Sequence, residues 1–270
     1  MIDSAKHILS HRKTYYSQNG EDGVLEYILS KIPDKNGWCV EVGAWDGKSL
    51  SNTFYFVEKY QYRGIFIEGY KPTYQNLCNN LGQMDQCICM NNYVKSTGAN
   101  SLDNIFKQTP LPKTFDLISI DIDGDDYHIW KSFKEYHPKV VIIEISIRDK
   151  PHVFRIGREG FAVIRVNKEI WWGECSTLLA MTELANRKGY RLVAQVGCNA
   201  IYVKQEYLHL FHKREVLPSE VFTYEGLFNF ELQFNDIKNL GFWPVVHWLY
   251  CRFKDQIVLP IKRMKEKNKT

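Results

Sequence analysis

"WCVEVGAWDGKSLSNTFYF", residues Trp38 to Phe56, changes its periodicity within a few positions. Trp38 to Val42 reads as a short apolar strand carrying one acid, Glu41. Gly43, Asp46 and Gly47 then break the run, and apolar residues recur at helical spacing from Leu50 to Tyr60. A strand, a glycine turn and a helix make the repeating unit of a sheet covered by helices. The turn is Gly-x-x-x-Gly flanked by carboxylates. A loop that admits a pyrophosphate needs Gly-x-Gly-x-x-Gly, and carboxylates repel phosphate. These acids instead suit a cationic ligand with an amino group, and S-adenosylmethionine carries both a sulfonium and an α-ammonium.

Outward from this unit the same alternation continues. Strands are expected near Gly64 to Glu68, Cys87 to Asn91, Phe115 to Asp121 and Val140 to Ile145, then near Tyr190 to Gln195 and Ala200 to Val203. Helices are expected over Gly20 to Ile32, Leu50 to Tyr60, Thr73 to Asn80, Asp125 to Glu135 and Ser176 to Lys188. Uninterrupted apolar runs such as "VVII" predict an α/β fold with a mostly parallel sheet buried on both faces. The closing "YRLVAQVGCNAIYVK" predicts an antiparallel hairpin around Gly197, Cys198 and Asn199. Residues 146–173 lack clean periodicity and read as an insertion at the carboxyl edge of the sheet, placed to bind an acceptor.

Two further acidic stretches reinforce the first. "RGIFIEGYKP" ends a strand at Glu68 and Gly69, about 20 residues beyond the glycine turn, where nucleoside-binding α/β folds place an acid on the ribose hydroxyls. "FDLISIDIDGDDYHIW" delivers Asp121 and Asp123 at a strand end, with Asp125 and Asp126 opening a helix. Such crowding either raises a carboxyl pKa or binds a cation. An acidic helix start accounts for Asp125 and Asp126 but not for Asp121. Asp-x-Asp after an apolar strand also marks Mn²⁺-dependent nucleotide-sugar glycosyltransferases, a rival that leaves Glu41 to Gly47 unexplained.

The chain of 270 residues, 44% hydrophobic and 24% charged, has the composition of a globular protein. Its net charge of +4 belongs to residues 252–270, which carry a local +5, so a nucleic-acid-binding core is not expected. Seven cysteines without a Cys-x-x-Cys pair predict neither a disulfide framework nor a zinc site, and fit a reducing, cytoplasmic setting. No signal peptide or membrane span is expected, because the longest apolar tail segment, Phe242 to Cys251, is interrupted by His247. The tail mixes aromatics with late Lys and Arg, as either an interfacial anchor at the inner membrane face or a docked helix with a solvated basic end would.

"YYSQNGEDGVLEYIL", residues Tyr15 to Leu29, offers Asn19 as a helix N-cap and Glu21 and Asp22 for the first turn, which leaves Gln18 and Tyr16 over. At this point the sequence resembles the FkbM-type S-adenosylmethionine-dependent methyltransferases over about residues 15–203. "YSQNGEDG" is similar to that family's Ser-Gln-x-Gly-Glu-Asp segment, "VEVGAWDG" to its Gly-Ala-x-Asp-Gly loop, and "IDIDGDDYHIW" to its Asp-x-Glu-Gly segment, with Asp123 in place of the commoner Glu. The resemblance implies a Rossmann-like class I methyltransferase fold of seven strands, the last antiparallel, over residues 1–204. It also implies O-methylation of a sugar or natural-product hydroxyl. Residues 205–270, an aromatic and basic extension, have no counterpart in it.

An O-methyltransferase must align a methyl donor with a hydroxyl and remove a proton. The expected cofactor set is Glu41, Gly43, Ala44 and Asp46 around the methionine part, Glu68 and Gly69 at the ribose, and Asn92 or Tyr93 at the adenine edge. Asp121 and, by matching position, Gln18 complete it. Proton removal is expected of Asp121 or Asp123, of His152 or His128, or of a metal such as Mg²⁺ held by Asp121, Asp123 and Asp126. Trp171 and Trp172 are candidates to stack on a sugar ring. The acceptor expected is a glycan or glycolipid. The alternatives are the glycosyltransferase and a non-catalytic cofactor-binding module.

Overall fold

The computed structural model describes residues 1–147, 149–159, 164–166, 169–171 and 175–223. Helices α1 (Asp3–Leu9) and α2 (Glu21–Lys31) lead into a strict alternation: β1 (Trp38–Val42), α3 (Phe54–Tyr60), β2 (Arg63–Ile67), α4 (Lys71–Leu81), β3 (Cys87–Met90), α5 (Leu102–Phe106), β4 (Thr114–Ile120), α6 (Asp126–Ser132) and β5 (His137–Glu144). A two-stranded ribbon follows, β6 (Ile164–Val166) with β7 (Glu169–Trp171), and then α7 (Leu178–Arg187), β8 (Tyr190–Val196) and β9 (Asn199–Lys204). A 3₁₀ turn (Gln205–Leu210) and the short α8 (Pro218–Val221) end the described chain.

The seven-stranded sheet has the order β3-β2-β1-β4-β5-β9-β8. β1 to β5 run parallel, and β9 is antiparallel to both β5 and β8. This is the mostly parallel α/β sheet with an antiparallel last strand that defines a class I methyltransferase-type Rossmann-like architecture. Every residue of β1 is buried, as a central parallel strand requires. Successive residues divide between two cores. Ile65, Ile118 and Val141 pack under Ile105, Trp130 and Met181 on one face, and Phe66, Leu117 and Ile142 under Leu25, Ile28, Phe56 and Leu77 on the other.

The sequence places all seven strands of the sheet within a few residues, and the Gly197-Cys198 turn joins β8 to β9 as expected. Three differences have local causes. α3 starts at Phe54 rather than Leu50, because the residues just before it fold back onto Glu41. α2 begins at Glu21 behind Gly20, whose φ of 90° puts the N-cap in the left-handed region and excludes the expected Asn19 cap. The short α1 and α5 lack a long enough period to be read. Residues 205–223 lie against the outer strand: the Ile2 N–H donates to the Glu220 carbonyl, and buried His212 contacts Ser4 Oγ and the Val193 carbonyl oxygen. Trp172 and the tail segment 242–270 lie outside the described residues.

Candidate functional site

Register fixes the site. Val42 pairs with Ile67 on one side and with Ile120 on the other, and Ile120 pairs with Ile143. The next residues, Glu68, Gly43, Asp121 and Glu144, therefore stand side by side along the carboxyl rim of β2, β1, β4 and β5. The chain leaves β1 toward β2 and leaves β4 toward β5, so the strand order reverses between β1 and β4. In open α/β sheets ligands bind in the crevice outside such a switch point.

Gly43 lets the two central loops touch. Its φ is 84°, and a Cβ there would stand 1.7 Å from the Asp121 carbonyl oxygen. The Gly43 and Ala44 N–H groups both donate to the Ile67 carbonyl, at 2.9 and 3.0 Å. Trp45 is a non-glycine residue at φ 47°, and its N–H donates to Glu68 Oε2 at 2.9 Å. Glu41 lies behind the loop and is buried. Its carboxylate accepts from Ser51 Oγ, the Asn52 N–H and Thr53 Oγ1, and burial pushes its pKa up to about 7. Glu41 thus braces the turn instead of facing a ligand. Asp46 is similarly committed, accepting from the Lys48 and Ser49 N–H groups and from Ser49 Oγ.

At the β2 end the Tyr70 N–H donates to Glu68 Oε1 at 2.7 Å, and burial raises the Glu68 pKa. The Tyr93 ring packs on Gly69, where a Cβ would meet it at 2.6 Å. Asn91, not Asn92, reaches the Glu68 and Gly69 carbonyls; Asn92 faces Asn100 at 3.5 Å.

The β4 and β5 ends carry the strongest electrostatic feature. Asp121, Asp123 and Glu144 each present a carboxylate oxygen within 4.8 Å of the others, and Asp126, Glu144 and Cys175 form a second such group. Burial followed by the neighbouring carboxylates holds Asp121 and Glu144 well above the usual range. Burial pushes Asp123 up to about 6 and Asp126 to about 7. Both Asp126 oxygens accept backbone N–H groups, from Ile122 and Gly124, so Asp126 shapes the loop in which Asp123 takes a φ of 59°. The expected metal set of Asp121, Asp123 and Asp126 is therefore rearranged, with Glu144 beside the first two and Asp126 turned to the backbone. Glu144 was missed by sequence reading. The signal was present, for it is the third acid, after Glu68 and Asp121, to stand at the end of an apolar strand.

Ahead of α2, Asp22 Oδ2 accepts three consecutive backbone N–H groups, from Tyr15, Tyr16 and Ser17 at 2.7, 2.7 and 2.9 Å, while its own N–H donates to Ser17 Oγ. Asn19 caps nothing: its backbone N–H and Nδ2 both donate to buried Glu21, which also accepts from Asn199 on β9. These bonds pin the segment to the β8–β9 turn and set Gln18 Oε1 3.9 Å from Cys198 Sγ. Glu144 pairs with Asn199, and the Ile145 N–H donates to the Cys198 carbonyl at 2.8 Å, which places Gln18 at the same rim.

The described part of the insertion is strapped over this edge. The Gly157 N–H donates to Ser176 Oγ, next to Cys175, and the Gly157 carbonyl accepts from His128 Nε2 at 2.8 Å, two residues beyond Asp126. Ser96 Oγ donates to Glu159, whose other oxygen is 3.8 Å from His128 Nδ1. His128 is thus an anchor of the strap. His152 is exposed in the Lys150–Val153 turn and belongs to neither carboxylate group.

No protein-family model and no curated protein matches the chain. Among solved structures, the glycopeptide N-methyltransferase MtfA with S-adenosylhomocysteine is similar at 11% identity, over 74% of this chain and 96% of that one, with a TM-score of 0.43. The N-terminal domain of EvdMO1 with S-adenosylhomocysteine and D-fucose is similar at 10% identity, over 76% and 97%, with a TM-score of 0.44. A SAM-dependent methyltransferase from Aquifex aeolicus is similar at 14% identity, over 75% and 97%, with a TM-score of 0.39. At these values the architecture rests on this chain's own strand order.

Proposed function

We propose that the protein is an S-adenosylmethionine-dependent O-methyltransferase acting on a sugar hydroxyl of a glycan or glycolipid. The observation that carries this reading is the rim itself: a glycine loop and four strand-end positions, three of them acidic, at the switch point of a sheet with this strand order. Gly43 and Ala44 give backbone approach, Glu68 offers its remaining lone pairs to ribose hydroxyls, and Tyr93 on Gly69 provides an aromatic wall. Gln18 supplies an amide for the methionine end. Glu41 and Asp46 hold the loop in shape.

When bound, S-adenosylmethionine supplies an electrophilic methyl group. The carboxylates of Asp121 and Asp123 orient an acceptor hydroxyl, and Asp123, whose pKa burial pushes up to about 6, takes its proton. Asp121, Asp123 and Glu144 form an all-oxygen donor set that also fits Mg²⁺ or Mn²⁺. The strap over residues 149–159 would form the acceptor wall. A thermal-shift comparison of S-adenosylhomocysteine with UDP- and GDP-sugars, with and without Mn²⁺, tests the reading. Stabilisation by S-adenosylhomocysteine is expected, and stabilisation by nucleotide sugars alone would replace it with a glycosyltransferase.

A further inference from the structure

The strap over residues 149–159 is tied down bond by bond, yet it turns its apolar side chains outward. The Arg155 N–H donates to Thr177 Oγ1 at 3.0 Å, the Thr177 N–H donates back to the Arg155 carbonyl at 2.9 Å, and the Gly157 N–H donates to Ser176 Oγ at 3.0 Å. Arg155 Nη2 reaches Asp149 at 2.6 Å, and Asp149 also accepts from Ser146 Oγ. Exposure alternates along it, as side chains do on extended backbone. Val153, Arg155 and Gly157 are half-buried or buried, while His152, Phe154, Ile156 and Arg158 are exposed. Phe154 is 50% and Ile156 36% exposed. The other large apolar side chains exposed among the described residues stand singly along the chain, which is ordinary; two on one side of a fixed segment mark a contact surface.

Charge decides what this row meets. Both acids of the strap are engaged, Asp149 by Arg155 and Glu159 by Ser96 and His128, while Lys150 and Arg158 are exposed beside the apolar pair. Gln195, buried on β8, clamps Thr223: its Oε1 accepts the Thr223 N–H at 3.2 Å, and its Nε2 donates to the Thr223 and Gly197 carbonyls at 3.0 and 2.9 Å. Thr223 therefore leaves the fold at the carboxyl rim, and the sequence beyond it holds the local +5 of residues 252–270. A stable protein interface buries about 800 Å² per partner, more than two side chains offer. A bilayer needs only a short apolar insertion joined to basic charge. We infer that Phe154 and Ile156, with Lys150 and Arg158 around them, are the edge by which the protein docks on a membrane surface of anionic lipid headgroups. The apolar pair enters the boundary between headgroups and acyl chains, and the basic side chains stay with the phosphates. Docking in this way sets the carboxyl rim against the lipid, where the sugar of a glycolipid would meet the strap. The inference goes beyond the methyltransferase reading and does not depend on it.

Co-flotation of the full-length chain with vesicles of phosphatidylcholine, alone or mixed with phosphatidylglycerol, tests this. Binding is expected on the mixed vesicles and should weaken as salt rises. Replacing both apolar residues, Phe154→Ser with Ile156→Ser, should weaken it about tenfold or more at an unchanged thermal midpoint. Lys150→Gln should weaken it about fivefold, which guards against a double variant that folds poorly. No binding to either vesicle, equal binding to both, or binding unchanged in these variants would overturn the inference. So would a dimer in light scattering that the double variant abolishes, because the row would then join two copies of this chain. The assay contains no S-adenosylmethionine, so its failure leaves the methyltransferase reading standing, and failure to bind that cofactor leaves the docking edge standing.

Discussion

The Asp121 carbonyl oxygen occupies the space beside Gly43 so closely that a Cβ would meet it at 1.7 Å. The two central loops of the rim are packed backbone on backbone, which fixes the distance between the glycine turn and the acids of β4. Gly43→Ala should therefore cost at least about 2 kcal/mol, from the clash and from the positive φ together. It should also abolish cofactor binding. Denaturant melts and titration would check both; a variant of unchanged midpoint would show that the loops separate freely.

The segment before α2 offers a contrast between neighbours. Asp22→Ala removes the acceptor of three backbone N–H groups and should cost about 3 kcal/mol or more. Asn19→Ala removes one side-chain donor to Glu21 and should cost only about 1 kcal/mol. Gln18→Ala should leave the midpoint nearly unchanged and weaken cofactor binding. Equal losses of stability at Asp22 and Asn19 would contradict the described bonding.

Stability of the ligand-free chain should fall as pH rises through neutrality. The pKa values of Asp123, Asp126 and Glu41 are raised on folding, to about 6, about 7 and about 7. Below about pH 4 both folded and unfolded chains hold these protons. Between there and pH 7 the unfolded chain has lost them while the folded chain keeps them, so each step up in pH favours unfolding. Glu26 and Glu220 are shifted the opposite way and lose their contribution in acid, which sets the maximum near pH 5. Calorimetry should show Tm lower at pH 8 than at pH 5 by on the order of 5–10 °C. Asp121→Asn should flatten this fall; a Tm that rises over the same range would count against a strained acidic rim.

His128→Ala cuts the strap from α6 at Gly157. Acceptor KM should rise severalfold, cofactor Kd should move less than about twofold, and stability should drop by about 1 kcal/mol. Parallel losses in acceptor and cofactor binding would place the strap elsewhere than at the acceptor side.

Much of this was legible in the sequence, for a physical reason. Central parallel strands are apolar on both faces, so β1, β4 and β5 read as clean runs, and the glycine turn and strand-end acids lie in fixed register with them. What periodicity does not carry is the direction of a side chain after its strand ends. Glu41 and Glu68 look equivalent as acids near a strand end, yet Glu41 turns into the core to brace Ser51 to Thr53 while Glu68 stays at the rim. Asn19 has the composition of a cap, but Gly20 takes the left-handed conformation and leaves Asn19 to donate to Glu21. Glu144 stayed hidden because its partners lie far away in sequence, and only the pairing of Ile120 with Ile143 brings it beside Asp121.

The most direct measurement of the central claim is titration of the chain with S-adenosylmethionine, beside the Glu68→Ala variant. One molecule per chain at micromolar Kd is expected, weakened at least about tenfold by the substitution. No binding of S-adenosylmethionine, together with Mn²⁺-dependent binding of a nucleotide sugar that requires Asp121 and Asp123, would contradict it.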